Sequence, residues 1–124
     1  MHCSLINYDE GSQSLLSQYI RRSGCQEVTL IPRPGGYPTD AEWWQICDLV
    51  FLHLTYPSET VRHELAAQLM NHPGVVITSP FPKHQFPNLF MQPFAFLTEP
   101  FSFKKFADCI AAYQLGVDKN HSAT

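Results

Sequence analysis

Six side chains able to bind or transfer small groups stand at or just after the ends of short apolar runs in this chain. In chain order they are Asn7, Tyr8, Asp9, His53, Ser79 and Glu99. An imidazole is a nucleophile and a proton carrier. Carboxylates bind hard cations, and a hydroxyl donates a hydrogen bond to an anionic oxygen. The chemistry therefore depends on which of these groups the fold brings together.

The apolar runs alternate with helical patterns. We expect strands at 3–7, 27–31, 49–54, 75–78 and 95–97. We expect helices at about 12–22, in a short segment after a Thr39–Glu42 capping box, from 58 or 59 to 70, and at 103–115. Prolines 80, 82, 87 and 93 interrupt the stretch before the last strand, so a regular fourth helix is not expected there.

This alternation predicts the α/β class, with a flavodoxin-like doubly wound sheet of five parallel strands in the order 2-1-3-4-5. The functional crevice of such a sheet lies at the carboxyl ends of the strands, between strands 1 and 3. Residues 7–9 and His53 should meet there, with Ser79 and Glu99 at the neighbouring strand ends. We expect one domain over residues 1–117, followed by a polar tail at 118–124.

Two segments carry a more specific signal: Asp48-Leu49-Val50-Phe51-Leu52-His53-Leu54-Thr55-Tyr56-Pro57 and Phe96-Leu97-Thr98-Glu99-Pro100-Phe101. They resemble the third and fifth strands, with their loops, of the receiver domain of two-component response regulators (CheY-like). Residues 3–10 align with the first strand and acidic turn of that family. Residues 102–106 are similar to the last helix start of receivers that precede LytTR-type DNA-binding domains. The resemblance covers residues 3 to about 115.

The resemblance implies where the family's phosphorylation chemistry would sit. The phospho-accepting Asp position is occupied by His53, and the position of the usual Lys by Glu99. The acidic pair that holds Mg²⁺ falls on Asn7 and Tyr8, while Ser79 keeps the hydroxyl. The chain therefore resembles a degenerate pseudo-receiver, and we expect no catalytic residue, no resident metal and no cofactor.

Electrostatics favours the same interpretation. Mg²⁺ would lose the carboxylates it prefers, and a phosphoryl group would meet Glu99 in place of a cation. A gapped alignment would place Asp9 and Glu10 on the metal turn, leaving Asp9 as a residual ligand, but it moves the apolar Leu5 and Ile6 out of register with the strand.

A second candidate surface lies between the fourth strand and the last helix. This is the output and dimerisation face in the family that the chain resembles. Its residues are the aromatics Phe90, Phe94, Phe96 and Phe101 with the basic pair Lys104 and Lys105. The aromatic, proline-rich run is either irregular core cover or an interaction surface.

The leading functional hypothesis is a phosphorylation-independent protein-interaction module in bacterial signalling or transcription control, with a protein partner or a second copy. The alternative is a receiver that retains phosphotransfer or binds a small anion around His53. An unrelated enzymatic activity ranks third, so we expect no enzyme.

Composition limits the remaining classes. The 124 residues carry a net charge of -3, which argues against a nucleic-acid surface. No run approaches the length of a membrane span, and no signal peptide is expected. The four cysteines form no CxxC motif, so we expect reduced thiols and a cytoplasmic location.

Overall fold

The computed structural model describes residues 2–8, 10–31, 48–58, 61, 63–87 and 89–122. Strands and helices alternate along this part of the chain. The strands are β1 (His2–Ile6), β2 (Gln26–Ile31), β3 (Leu49–His53), β4 (Val75–Ser79) and β5 (Ala95–Thr98). The helices are α1 (Glu10–Arg22), α2 (His63–Met70) and α3 (Phe103–Ser122), with a single 3-10 turn at Lys83–Gln85. The predicted capping box of Thr39 and Glu42, and the short helix after it, lie outside the described residues.

The five strands form one parallel sheet in the order β2-β1-β3-β4-β5. The predicted fold class and strand order are therefore confirmed. Every residue of β3 and β4 is buried, as expected for central parallel strands covered on both faces.

Two apolar layers enclose the sheet, because successive side chains of a strand point to opposite faces. The first layer joins Phe51 of the sheet to Ile20 of α1 and Phe106 of α3. The Phe51 and Phe106 rings stack at a centroid distance of 5.7 Å. The second layer joins Leu52 and Ile77 of the sheet to Leu69 of α2 and to Phe86.

The segment between β4 and β5 has no long helix in its described residues, which confirms the expected irregular fourth helix. Only Lys83–Gln85 forms a 3-10 turn there. Phe86 is buried and its ring lies 5.3 Å from that of Phe96. The prolines stop the helix, while the aromatic side chains still cover the sheet.

The last helix is longer than predicted. It was expected to end at Leu115 and to leave a polar tail, but α3 continues through Ser122. Residues 118–122 are polar, yet residues 116–122 include no proline, so no missing amide interrupts the hydrogen-bonded turns. Among the described helices, none is long and apolar enough to cross a membrane.

Gly74 and Gly116 form a matched pair for testing the packing at the start of β4. A Cβ on Gly74 would lie 2.2 Å from the carbonyl oxygen of Asp48, whereas one on Gly116 would meet nothing within 4 Å. We expect Gly74→Ala to lower the free energy of unfolding by about 1–3 kcal/mol through overpacking. Gly116→Ala should raise it by about 0.5–1 kcal/mol through helix propensity. Urea denaturation measures both changes, and a Gly74→Ala protein as stable as the parent would contradict the packing described.

Candidate functional site

His53 lies at the carboxyl end of β3 and is buried, with 6% of its surface exposed. Its Nδ1 lies 2.8 Å from Oε1 of Glu99, so the imidazole donates a hydrogen bond to the carboxylate. Glu99 follows β5, which is separated from β3 by β4. The bond therefore spans three strand ends and joins the two positions that the sequence singled out.

Glu99 is held in place from both its backbone and its side chain. Its amide donates to the carbonyl oxygen of Ser79 at 2.7 Å, which extends the β4–β5 pairing by one residue. Its side chain remains 22% exposed, three times the 7% of the His53 side chain. The Glu99 side chain thus pairs with His53 and keeps part of its surface in solvent.

Asn7 connects the ends of β1 and β3. Its Nδ2 donates a hydrogen bond of 2.8 Å to the carbonyl oxygen of His53. Its backbone has a φ of 70°, a left-handed conformation that asparagine adopts more readily than most residues. The side chain at one of the family's acidic positions is therefore engaged in a neutral backbone contact.

Tyr8 fills the space beside His53. It is 6% exposed, and its ring centroid lies 5.1 Å from that of the imidazole. Its hydroxyl shares a hydrogen bond of 2.5 Å with Oγ1 of Thr78. Burial raises the pKa of the Tyr8 phenol well above its usual range, although the bond to Thr78 acts in the opposite direction. A buried aromatic ring therefore occupies the second acidic position.

The hydroxyl beside this cluster belongs to Thr78, which the sequence analysis did not select. His53 and Thr78 are register partners in the parallel sheet, and register partners point to the same face. Ser79 points to the opposite face, where its Oγ accepts the amide of Phe81 at 3.1 Å. Strand alternation was the signal that could have identified Thr78.

The cluster of Asn7, Tyr8, His53, Thr78 and Glu99 contains no lysine or arginine. The groups that it offers are an imidazole, a carboxylate, an amide and two hydroxyls, and all of them form hydrogen bonds. Among the described residues, no group of three or more His, Cys, Asp or Glu side chains could hold a metal ion. Asp9, the residual metal ligand of the gapped alignment, lies outside the described residues.

The predicted interaction face is only partly exposed. Phe90 and Phe96 pack against the second core layer, and the Phe101 ring lies 6.1 Å from that of Tyr19. Phe94 is 39% exposed and meets Tyr113 edge to face. Phe90, Phe96 and Phe101 are therefore partly buried against the core, and Phe94 lies at the surface.

The two lysines of that face are exposed on the first turn of α3. Lys104 pairs with Asp108 of the same helix at 3.9 Å, and both side chains are largely in solvent. The exposed residues of the following turns include Ala111, Ala112 and Leu115, the last being 62% exposed. An exposed strip of mixed charge and small apolar groups therefore runs along α3.

Comparison with solved structures identifies the fold. A signal receiver domain of a two-component histidine kinase from Clostridium thermocellum matches with a TM-score of 0.59 and 12% identity, over 90% of this chain and 95% of that one. The non-phosphorylated HemR receiver domain from Leptospira biflexa matches with a TM-score of 0.57 and 17% identity, over 90% and 92%. The receiver domain of the hybrid histidine kinase CckA matches with a TM-score of 0.53 and 14% identity, over 91% and 98%.

The chain therefore has the receiver-domain fold, which confirms at the level of fold the resemblance seen in the sequence. No protein-family model matches the chain, and no curated protein matches it.

The buried phenol of Tyr8 predicts a loss of stability at alkaline pH. Because its pKa is raised above the ordinary value of 10.0, the folded chain keeps this proton where the unfolded chain releases it. The contribution to stability is fully present below the unfolded pKa and is lost as the pH rises toward the folded pKa. We expect the free energy of unfolding to fall more steeply above about pH 10 in the parent than in Tyr8→Phe.

Urea denaturation at a series of alkaline pH values measures this difference. Burial also raises the pKa of Cys3, and that of Cys109 to about 11. Both thiols are present in parent and variant, so their effects cancel in the comparison. Parallel stability curves for the two proteins would contradict the assignment to Tyr8.

Proposed function

We propose that this chain is a receiver-like module of two-component signalling that acts through protein–protein contact, in the cytoplasm, without accepting a phosphoryl group. The observation that carries the proposal is the hydrogen bond of 2.8 Å between His53 and Glu99. This bond pairs His53, at the phospho-acceptor position of a receiver, with Glu99, at its lysine position.

The charge at this site opposes phosphoryl transfer. Catalysis of that reaction relies on cations that neutralise the transferred group. Glu99 supplies a carboxylate where a cation is needed, and Asn7 donates an amide N–H to His53 where an acidic ligand is needed. The same charge disfavours the alternative function of binding a small anion around His53.

Packing at the site supports the same conclusion. Tyr8 lies against the imidazole and hydrogen-bonds Thr78 across the crevice. A phosphoryl group on Nδ1 of His53 would have to displace the Glu99 carboxylate. The proposal therefore rests on occupied space as well as on charge.

We expect no phosphorylation by acetyl phosphate in the presence of Mg²⁺. Intact-mass spectrometry after incubation measures any added group, with a receiver domain that has the complete acidic pair, Asp and Lys treated in parallel as the positive control. His53→Ala is the matched variant. A stable gain of one phosphoryl mass in the parent that disappears in His53→Ala would refute the proposal.

The exposed strip of α3, formed by Lys104, Asp108, Ala111, Ala112 and Leu115, is the proposed contact surface. A second copy is the partner that its charges suit, because Lys104 and Asp108 have opposite signs at helical spacing and can pair reciprocally across a two-fold axis. Phe94 borders this surface through its contact with Tyr113. A stable contact should bury at least about 1,000 Å² in total.

Sedimentation velocity across a range of concentrations tests this surface. We expect self-association that is weakened by Leu115→Glu and by the joint charge reversal of Lys104 and Lys105. Met70→Glu is the matched control, because Met70 is 59% exposed on α2, on the other side of the sheet. A protein that is monomeric throughout, with no effect of these changes on any partner recovered by pull-down, would exclude the surface.

A further inference from the structure

A cavity of about 300 Å³ opens beside the His53–Glu99 pair. It lies between the end of β1, helix α1 and the loop that leads into α3. Its walls are largely apolar and include Leu15, Leu16, Pro100 and Phe101. The volume is at the lower end of the range of about 300–1,000 Å³ typical of small-molecule sites.

Among the described residues that line this cavity, Glu99 supplies the one carboxylate. His53 engages its Oε1 from the side of the sheet, while the side chain keeps some exposure. Tyr8 also lines the cavity, but its hydroxyl is bonded to Thr78, so its ring carbons form the wall. The cavity therefore combines a carboxylate residue with apolar and aromatic surroundings.

The chemistry of the walls selects a class of ligand. An anion would be repelled by Glu99, and a neutral apolar molecule would remove water from the carboxylate without replacing its hydrogen bonds. An ammonium group would donate a charge-assisted hydrogen bond to it. The aromatic side chains of Tyr8 and Phe101 suit the apolar body of such a molecule or its cationic group.

We propose that this cavity binds a small organic ammonium ion with an apolar or aromatic body. The site goes beyond the protein contact proposed above and does not depend on it, because its lining residues are distinct from the exposed strip of α3. It is also separate from phosphoryl chemistry, since it uses the outer side of Glu99 rather than the imidazole of His53.

Three probes of similar shape and different charge test the proposal: phenethylammonium, phenethyl alcohol and phenylacetate. Each is titrated into the isotope-labelled protein and followed by amide chemical shifts. We expect saturable shifts for phenethylammonium at Leu16, Glu99 and Phe101. The alcohol and the carboxylate should bind at least about tenfold more weakly, because they lack the charge-assisted bond.

Two variants locate the binding. Glu99→Gln keeps the shape of the side chain and removes its charge, so affinity for phenethylammonium should fall by about tenfold or more. Leu15→Trp narrows the cavity at a position that is 45% exposed and leaves Glu99 intact, so it should also abolish binding. Asp48→Asn makes the same change of net charge just before β3, at the opposite end of the sheet from Glu99, where the side chain is 48% exposed. It should leave the affinity within about twofold.

Several results would overturn the proposal. They are the absence of saturable binding by phenethylammonium, equal affinity for the three probes, and preference for phenylacetate. Unchanged affinity in Leu15→Trp would also overturn it, even if Glu99→Gln did not fold. Phosphorylation of His53 would contradict the proposed function but would not change the result of this titration. The proposed function and the proposed ligand site can therefore fail independently.

Discussion

The hydrogen bond between His53 and Glu99 is the interaction on which the rest of the site depends. A buried imidazole needs a hydrogen-bonding partner, since leaving one polar group unsatisfied costs about 1–3 kcal/mol. The partner comes from the end of β5, across β4, so the bond can form only when the three strands are in register. The order of the strands therefore determines the geometry of the site. The side chains at the phospho-acceptor and lysine positions of a receiver hydrogen-bond each other here.

The surrounding groups reinforce this closed arrangement. Asn7 holds the His53 carbonyl, and Tyr8 packs against the ring while it bonds Thr78. Each contact uses a side chain that cannot supply the carboxylate oxygens a hard cation requires. The cluster is consistent in chemistry as well as in packing: an acid in place of His53 would face the Glu99 carboxylate, with the Tyr8 ring still beside it.

Much of this could be predicted from the sequence, because continuous apolar runs and helical periodicity indicate strands and helices whatever the site residues are. The strand order and the placement of His53 and Glu99 at strand ends on the same edge of the sheet followed from them. Thr78 was missed because Ser79 was chosen for its place at the end of the strand. Side chains alternate along a strand, so Thr78 points to the face of His53 and Ser79 points to the opposite face. The end of α3 was missed because polarity was interpreted as a stop, although only a break in backbone hydrogen bonding ends a helix. The cavity could not be predicted, since it arises where side chains from distant segments fail to fill space.

Glu99 has a role both in the fold and in the proposed ligand site. Its inner oxygen satisfies His53, which makes the carboxylate part of the fold. Its outer side borders a cavity with apolar walls, where the same negative charge discriminates between ligands. A lysine there would favour anions and leave His53 without an acceptor when the imidazole Nδ1 carries a proton. Glu99 thus gives the buried imidazole its acceptor and, in the proposed ligand site, sets the sign of the charge that the cavity can accept.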